Sequence, residues 1–325
     1  MKKIFITGGA GYVGSVLTPY LIKKGHEITV FDLMIYGDTL KKNKNLKIVK
    51  GDIRNIELLK KKIKGHEIVI HLACISNDPS FELNPTLGKE INLDAFTPLV
   101  EISKNLGVKK FIYASSSSVY GVKIEKNVNE NMSLEPLTDY SKFKADCEKI
   151  LFKYKSKDFV TVTLRPATVC GYSPRQRLDL VVNILTNLAY HNREITIFGG
   201  DQLRPNIHIQ DMVRAYELFI DADDDKINGK TFNIGFENLN VNQLATEVQK
   251  VIGSDVRIKK LLSNDNRSYH ISSKKIQEEL GFIANFRISN AIEDLKCAFD
   301  KKLLSNCLTN ENYFNIKKMQ SINLK

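Results

Sequence analysis

The stretch Thr7-Gly8-Gly9-Ala10-Gly11-Tyr12-Val13-Gly14 decides the fold of this 325-residue chain. It follows a short apolar run at residues 3–7 and leads into an amphipathic segment at 15–24. Glycines at positions 8, 11 and 14 mark a strand that turns sharply into a helix. Gly8 makes the turn, Gly11 lets the backbone approach a pyrophosphate, and Gly14 permits close helix packing. Free N–H groups and the helix dipole then favour phosphate at the helix start. A glycine motif alone is weak. Here the next apolar run ends in Val30-Phe31-Asp32, placing a carboxylate about 20 residues on, where it can bond a ribose 2′-hydroxyl. Asp32 would also repel a 2′-phosphate, and no Arg stands immediately beside it, so the cofactor expected is NAD and not NADP.

Working outward, candidate strands at residues 3–7, 27–32, 46–50, 68–72, 110–115 and 159–165 alternate with helical patterns at 15–24, 55–62, 92–105 and 140–154. This alternation predicts an α/β fold, a doubly wound parallel (Rossmann) sheet with helices on both faces. The run at 68–72 is nearly all apolar, as suits a strand covered on both sides. Beyond Gly171 the rhythm weakens. A helix is expected at 180–191, strands at 194–198 and 231–235, an extended segment at 201–209, and helices at 241–252, 271–281 and 290–301. The expected division is a dinucleotide-binding domain over 1–171, with 205–235 returning to it, and a smaller interleaved α/β substrate subdomain from 172–204 and 236–300. Residues 305–325 are polar and poorly patterned, which predicts a loosely packed tail.

The net charge of +11 comes largely from Lys in twos and threes, such as Lys60-Lys61-Lys62, with no long basic block. That pattern reads as solvated surface and not as a nucleic-acid site. Five cysteines show neither CxxC spacing nor clustering with His, so free thiols are expected, with no metal site and no staples. Glycines 8, 9 and 11 interrupt the first apolar run before it reaches the length of a signal-peptide core, and no apolar stretch approaches a membrane span. The expectation is a cytoplasmic protein.

Tyr140 and Lys144 stand four apart in a helical pattern and so share one face. An isolated Tyr-x-x-x-Lys is common by chance. This one begins the helix after the strand and serine run Phe111-Ile112-Tyr113-Ala114-Ser115-Ser116-Ser117-Ser118. A free tyrosine, with a pKa of about 10, is a poor base at neutral pH. A neighbouring ammonium and a cationic nicotinamide ring would both favour the phenolate. Tyr140 could then take a proton from a substrate hydroxyl while hydride leaves the same carbon, and a serine hydroxyl could donate to that oxygen.

With these motifs in order, the chain resembles an extended short-chain dehydrogenase/reductase of the nucleotide-sugar epimerase/dehydratase family over roughly residues 2–300. The resemblance rests on the glycine turn, Asp32, Gly51-Asp52-Ile53, His71-Leu72-Ala73, Val119-Tyr120-Gly121, Tyr140 with Lys144, Arg165-Pro166, residues 204–211 and Arg267-Ser268-Tyr269. It implies that Asp52 and Ile53 hold the adenine end, that Leu72 and Ala73 line the dinucleotide path with Tyr12 and Val13, and that Asn92 lies near the cofactor. It implies Ser116 as the catalytic Ser/Thr, with Ser115 or Ser117 as other registrations. Arg204 would grip the substrate diphosphate, and Arg267 would be a second clamp. Ser117, Thr168 and Arg177 would contact substrate, while Arg175 or Arg177 could reach the sugar or its diphosphate or be exposed loop residues.

Two departures bear on activity. Family dehydratases carry Asp-Glu directly after the catalytic Ser/Thr, where this chain has Ser117 and Ser118, and Thr168 stands where many epimerases have Asn. The expected function is therefore an NAD-dependent nucleotide-sugar epimerase working through a 4-keto intermediate. The alternatives are a C4 dehydrogenase or reductase, and a non-catalytic NAD-sensing scaffold of the same fold. The partners expected are a nucleotide-diphosphate sugar and a second copy of the chain, packed through two helices per subunit, 92–105 and 140–154.

Overall fold

The computed structural model describes residues 1–325 except 126, 263–267, 269, 323 and 325. Its strands, in chain order, are β1 (Lys3–Thr7), β2 (Glu27–Asp32), β3 (Leu46–Lys50), β4 (Ile68–His71), β5 (Lys110–Ala114), β6 (Val160–Pro166), β7 (Thr168–Cys170), β8 (Glu194–Phe198), β9 (Leu203–His208), β10 (Lys230–Ile234), β11 (Glu237–Asn240) and β12 (Arg257–Leu261). Seven of them form one parallel sheet in the order β10-β6-β5-β4-β1-β2-β3. The order reverses between β1 and β4, the point at which such sheets open a crevice beyond their carboxyl ends.

Alternation along the strands explains why both faces are covered. Ile4 and Ile6, Ile28 and Val30, Ile68 and Ile70 all point into one core. Phe5, Phe31, Val69, Phe111 and Tyr113 point into the other. Helices close each side, so these side chains lose essentially all contact with water. Among the described residues, no helix is long and apolar enough to cross a membrane.

The second half departs from expectation in three places. Residues 205–208, expected to rejoin the large domain, run in β9, which pairs with β7 and β11 in a separate three-stranded sheet. The edge beside β6 is already filled by β10, so the chain returns through the helix Ile209–Asp221 and then β10. A further strand, β12, pairs with β8 in a two-stranded sheet although all five of its residues are exposed. The tail is not loose. Asn315 and Met319, on the helix Asn315–Ile322, are buried, and Met319 joins the second core. Its apolar residues sit at helical spacing, and that spacing is the signal that polarity masked.

Candidate active site

Strand register builds the site. Thr7 lies level with Phe31 on one side and His71 on the other, so Gly8, Asp32 and Leu72 leave the sheet side by side. Tyr113 lies level with His71, which brings the serine run after β5 to the same edge. These ends, together with the loop after β7 and the C-terminal helix, enclose a cavity of about 360 Å³. Its wall includes Gly8, Gly11, Tyr12, Val13, Gly14, Asp32, Ile53, Leu72 and Ala73.

This half of the wall fits a dinucleotide. Gly8 has φ +73°, and a Cβ there would lie 2.5 Å from the Ala73 nitrogen. A Cβ on Gly14 would lie 2.5 Å from the Gly8 oxygen, so its closest packing is onto the loop itself and not onto the sheet. At Gly11 a Cβ would meet only the Gly8 oxygen, at 3.2 Å, which leaves an open face for a ligand's approach. The helix Gly14–Lys23 has no side-chain cap, so its N-terminal dipole is not spent internally. Asp32 is pinned by N–H donors from Ala10 at 3.0 Å and Met34 at 2.8 Å. Burial raises its carboxyl above the usual range, against the lowering effect of those two donors.

The catalytic candidates come from one helix, Asp139–Tyr154, and one loop. Thr138 caps that helix in a reciprocal box with Ser141 and also donates to Asp78. Tyr140, Lys144 and Glu148, four apart, form one stripe facing the strand ends. Lys144 Nζ donates to the Ala114 carbonyl at 2.7 Å and lies 5.8 Å from the Tyr140 ring centre. Tyr140, Lys144, Ser116, Ser117 and Thr168 all line the cavity. Ser115 is committed elsewhere, since its hydroxyl donates to Glu148. Ser116 Oγ is half-buried and pairs with Ser118 Oγ at 2.9 Å.

Other expectations are relocated. Asp52 is absent from the cavity wall, and Arg54 holds both of its oxygens. Asn92 also stands behind the wall. Its amide accepts from the Ile75 N–H at 2.8 Å and donates to the Ile75 carbonyl at 2.9 Å, shaping the loop after β4 that does line the cavity. Arg204 sits on β9, outside the lining, with a guanidinium bond to the Leu203 carbonyl. Arg267 lies outside the described residues. Arg175 and Arg177 are both buried, so neither is an exposed loop residue. Arg177 lines the cavity but its fork is bidentate on Asp179, at 2.8 and 3.2 Å.

Several wall residues carried no recognised signal, notably Tyr36, Ser76, Asn315, Met319 and Leu324. Behind the wall, Glu148 pairs with Arg165 at 2.6 Å, and Arg165 donates to the Tyr120 hydroxyl at 2.7 Å. His71 lies beneath the site, bonded to Thr7 at 2.7 Å, and burial pushes its imidazole down to about 3.

Comparison with known proteins agrees with this geometry. A family model described as the NAD dependent epimerase/dehydratase family matches residues 4–235. A dTDP-D-glucose 4,6-dehydratase of Dictyostelium discoideum is 34% identical over 72% of this chain, which spans 58% of that relative's length. An uncharacterized UDP-glucose epimerase of Bacillus subtilis is 32% identical over 77% of this chain and 82% of its own. The solved UDP-glucose 4-epimerase of Thermotoga maritima, crystallised with UDP-glucose, superimposes with a TM-score of 0.84 at 27% identity, covering 93% of this chain and 100% of that one.

Proposed function

This chain belongs to the NAD dependent epimerase/dehydratase family, and we propose that it inverts carbon 4 of a nucleotide-diphosphate sugar through a 4-keto intermediate. One observation carries the reading. Tyr140, Lys144 and Ser116 share a single cavity with the glycine turn and Asp32, and serines stand at 117 and 118 where dehydratases of the family have carboxylates.

Bound NAD supplies a reversible hydride acceptor for carbon 4. Tyr140 takes the proton from the hydroxyl on that carbon, and the nearby Lys144 ammonium favours the phenolate it needs. Ser116 donates to the same oxygen as the carbonyl forms. Once the keto sugar has turned, the hydride would return to the opposite face of carbon 4 and Tyr140 returns the proton to its oxygen, which gives the epimer. Elimination of water is disfavoured by the donor set. Among the described wall residues the only carboxylates are Asp32, held by two N–H donors, and Asp78, which accepts from Thr138.

The test is incubation with a panel of UDP-, GDP-, dTDP- and CDP-sugars, followed by NMR and by NADH absorbance. A C4 epimer formed without accumulating NADH is the expected result. Steady NADH production would replace epimerisation with net C4 oxidation, a 4-keto-6-deoxy product would overturn the reading, and no turnover or binding across the panel would count against it altogether.

The same reading makes residues 172–204 and 236–300 the lobe that carries the sugar nucleotide. It also makes the chain a cytoplasmic homodimer. The helices Phe96–Asn105 and Asp139–Tyr154 pack side by side, and the second presents Phe152, 53% exposed, on its outer side. Light scattering at micromolar concentration should give twice the chain mass; a monomer refutes the pairing.

A further inference from the structure

Among the described residues Arg175 is a buried cation with no direct ion pair, although Asp32 and Asp179 act on it electrostatically. It is 4% exposed and lines the cavity, with its guanidinium 3.5 Å from the centre of the Tyr36 ring. Nη2 donates to Asn315 Oδ1 at 2.6 Å, while Nε and Nη1 are buried with no hydrogen-bond partner. Its neighbour two residues on, Arg177, has Asp179; Arg175 has no such carboxylate among the described residues. A buried charge left with two open donors is costly unless something else satisfies them.

Its surroundings say what that something is. The Arg175 backbone N–H donates to Ser15 Oγ at 3.3 Å, which fixes the residue beside the first turn of the helix that opens at the glycine turn. Tyr36, under the guanidinium, follows β2 and Asp32. Arg175 is thus held at the phosphate and ribose side of the cavity, near the uncapped helix N-terminus. Asn315 ties it there from the far end of the chain. The Asn315 amide donates to Ser76 Oγ at 2.9 Å, and its backbone N–H donates to Asp179 at 3.0 Å.

We propose that Arg175 binds the diphosphate of the dinucleotide through Nε and Nη1, and that Asn315 is the positioning residue that aims it. A planar guanidinium with adjacent open donors suits two phosphate oxygens, and the helix dipole supports the same anion. The C-terminal helix therefore completes the dinucleotide site, although it lies beyond the residues matched by the family model. The inference rests on the cavity being a dinucleotide site and is independent of which sugar is turned over.

The test is calorimetric titration of the dinucleotide-stripped full chain with NAD, ADP and adenosine, which needs no turnover. Arg175→Ala should weaken NAD and ADP by on the order of tenfold to a hundredfold, the worth of a charged hydrogen bond, and leave adenosine within about twofold. Arg175→Lys should recover part of the loss, since it keeps the charge but not the fork. Asn315→Ala should weaken ADP but not adenosine, and Gln320→Ala, exposed on the same helix, should change neither. Circular dichroism checks that each variant is folded, and an unfolded Arg175→Ala leaves the decision to Arg175→Lys and Asn315→Ala. Equal losses for ADP and adenosine, or ADP affinity unchanged in the folded Arg175 and Asn315 variants, would overturn the proposal. Failure of the sugar panel would leave these titrations interpretable.

Discussion

Replacing Glu148 with Ala removes the buried carboxylate of the helix Asp139–Tyr154. Its partner Arg165 is 6% exposed and bonds it through Nε at 3.0 Å and Nη2 at 2.6 Å, so the substitution strands a guanidinium where water cannot reach it. Ser115 loses its acceptor as well. The remaining bond from Arg165 to the Tyr120 hydroxyl, itself donating to Asn233, satisfies only one of the fork's faces. Breaking a buried pair from one side costs about 3–5 kcal/mol, because the surviving charge stays buried and unpaired. For a chain of this size that corresponds to a fall in melting temperature of roughly 4–7 °C. Urea denaturation followed by circular dichroism should show a lower midpoint at unchanged slope. The double variant Glu148→Met/Arg165→Met should recover most of the loss, since an apolar pair leaves no stranded charge. A Glu148→Ala protein within about 1 kcal/mol of the parent would mean that the pair is solvated, and the description of the helix as anchored there would be wrong.

The His71 imidazole is held neutral down to about 3 by burial, while the unfolded chain protonates it near the ordinary 6.5. Between those values unfolding takes up a proton, so its contribution to stability falls as pH drops, by about 1.4 kcal/mol per unit. His71→Phe should flatten the measured slope between pH 6 and 5 by roughly that amount; an unchanged slope contradicts the assignment. The Asp32 carboxylate should make NAD bind at least about tenfold tighter than NADP, and Asp32→Ala should narrow the gap. Calorimetric affinities that are equal in the parent would remove the cofactor argument.

What could be read from the chain was what lies close along it. The glycine turn, Asp32 and the Tyr140/Lys144 stripe are spacings within one helix face or one strand–helix–strand unit, and the parallel sheet, though not its strand order, follows from alternation. Contacts between distant segments carried no such mark. In the sequence Arg175 reads equally as a contact to the sugar or its diphosphate and as an exposed loop cation, and only Asn315, 140 residues later, shows it buried and held. Glu148 continues the Tyr140/Lys144 stripe by one more turn of the helix, yet its partner lies on β6, so spacing alone does not identify the ion pair. The ion pair of Asp52 with Arg54 is local in sequence, yet nothing in the motif marked it. The helix Asn315–Ile322 is hidden in the sequence because polar residues outnumber the few apolar ones that dock it.

The central claim is that Tyr140 moves the proton on the carbon-4 oxygen. Its most direct test is the turnover number of Tyr140→Phe on the best sugar nucleotide from the panel, with the dinucleotide bound. The expected loss is about 10²–10⁴-fold, the usual worth of a positioned acid–base group. Turnover within about tenfold of the parent would contradict it.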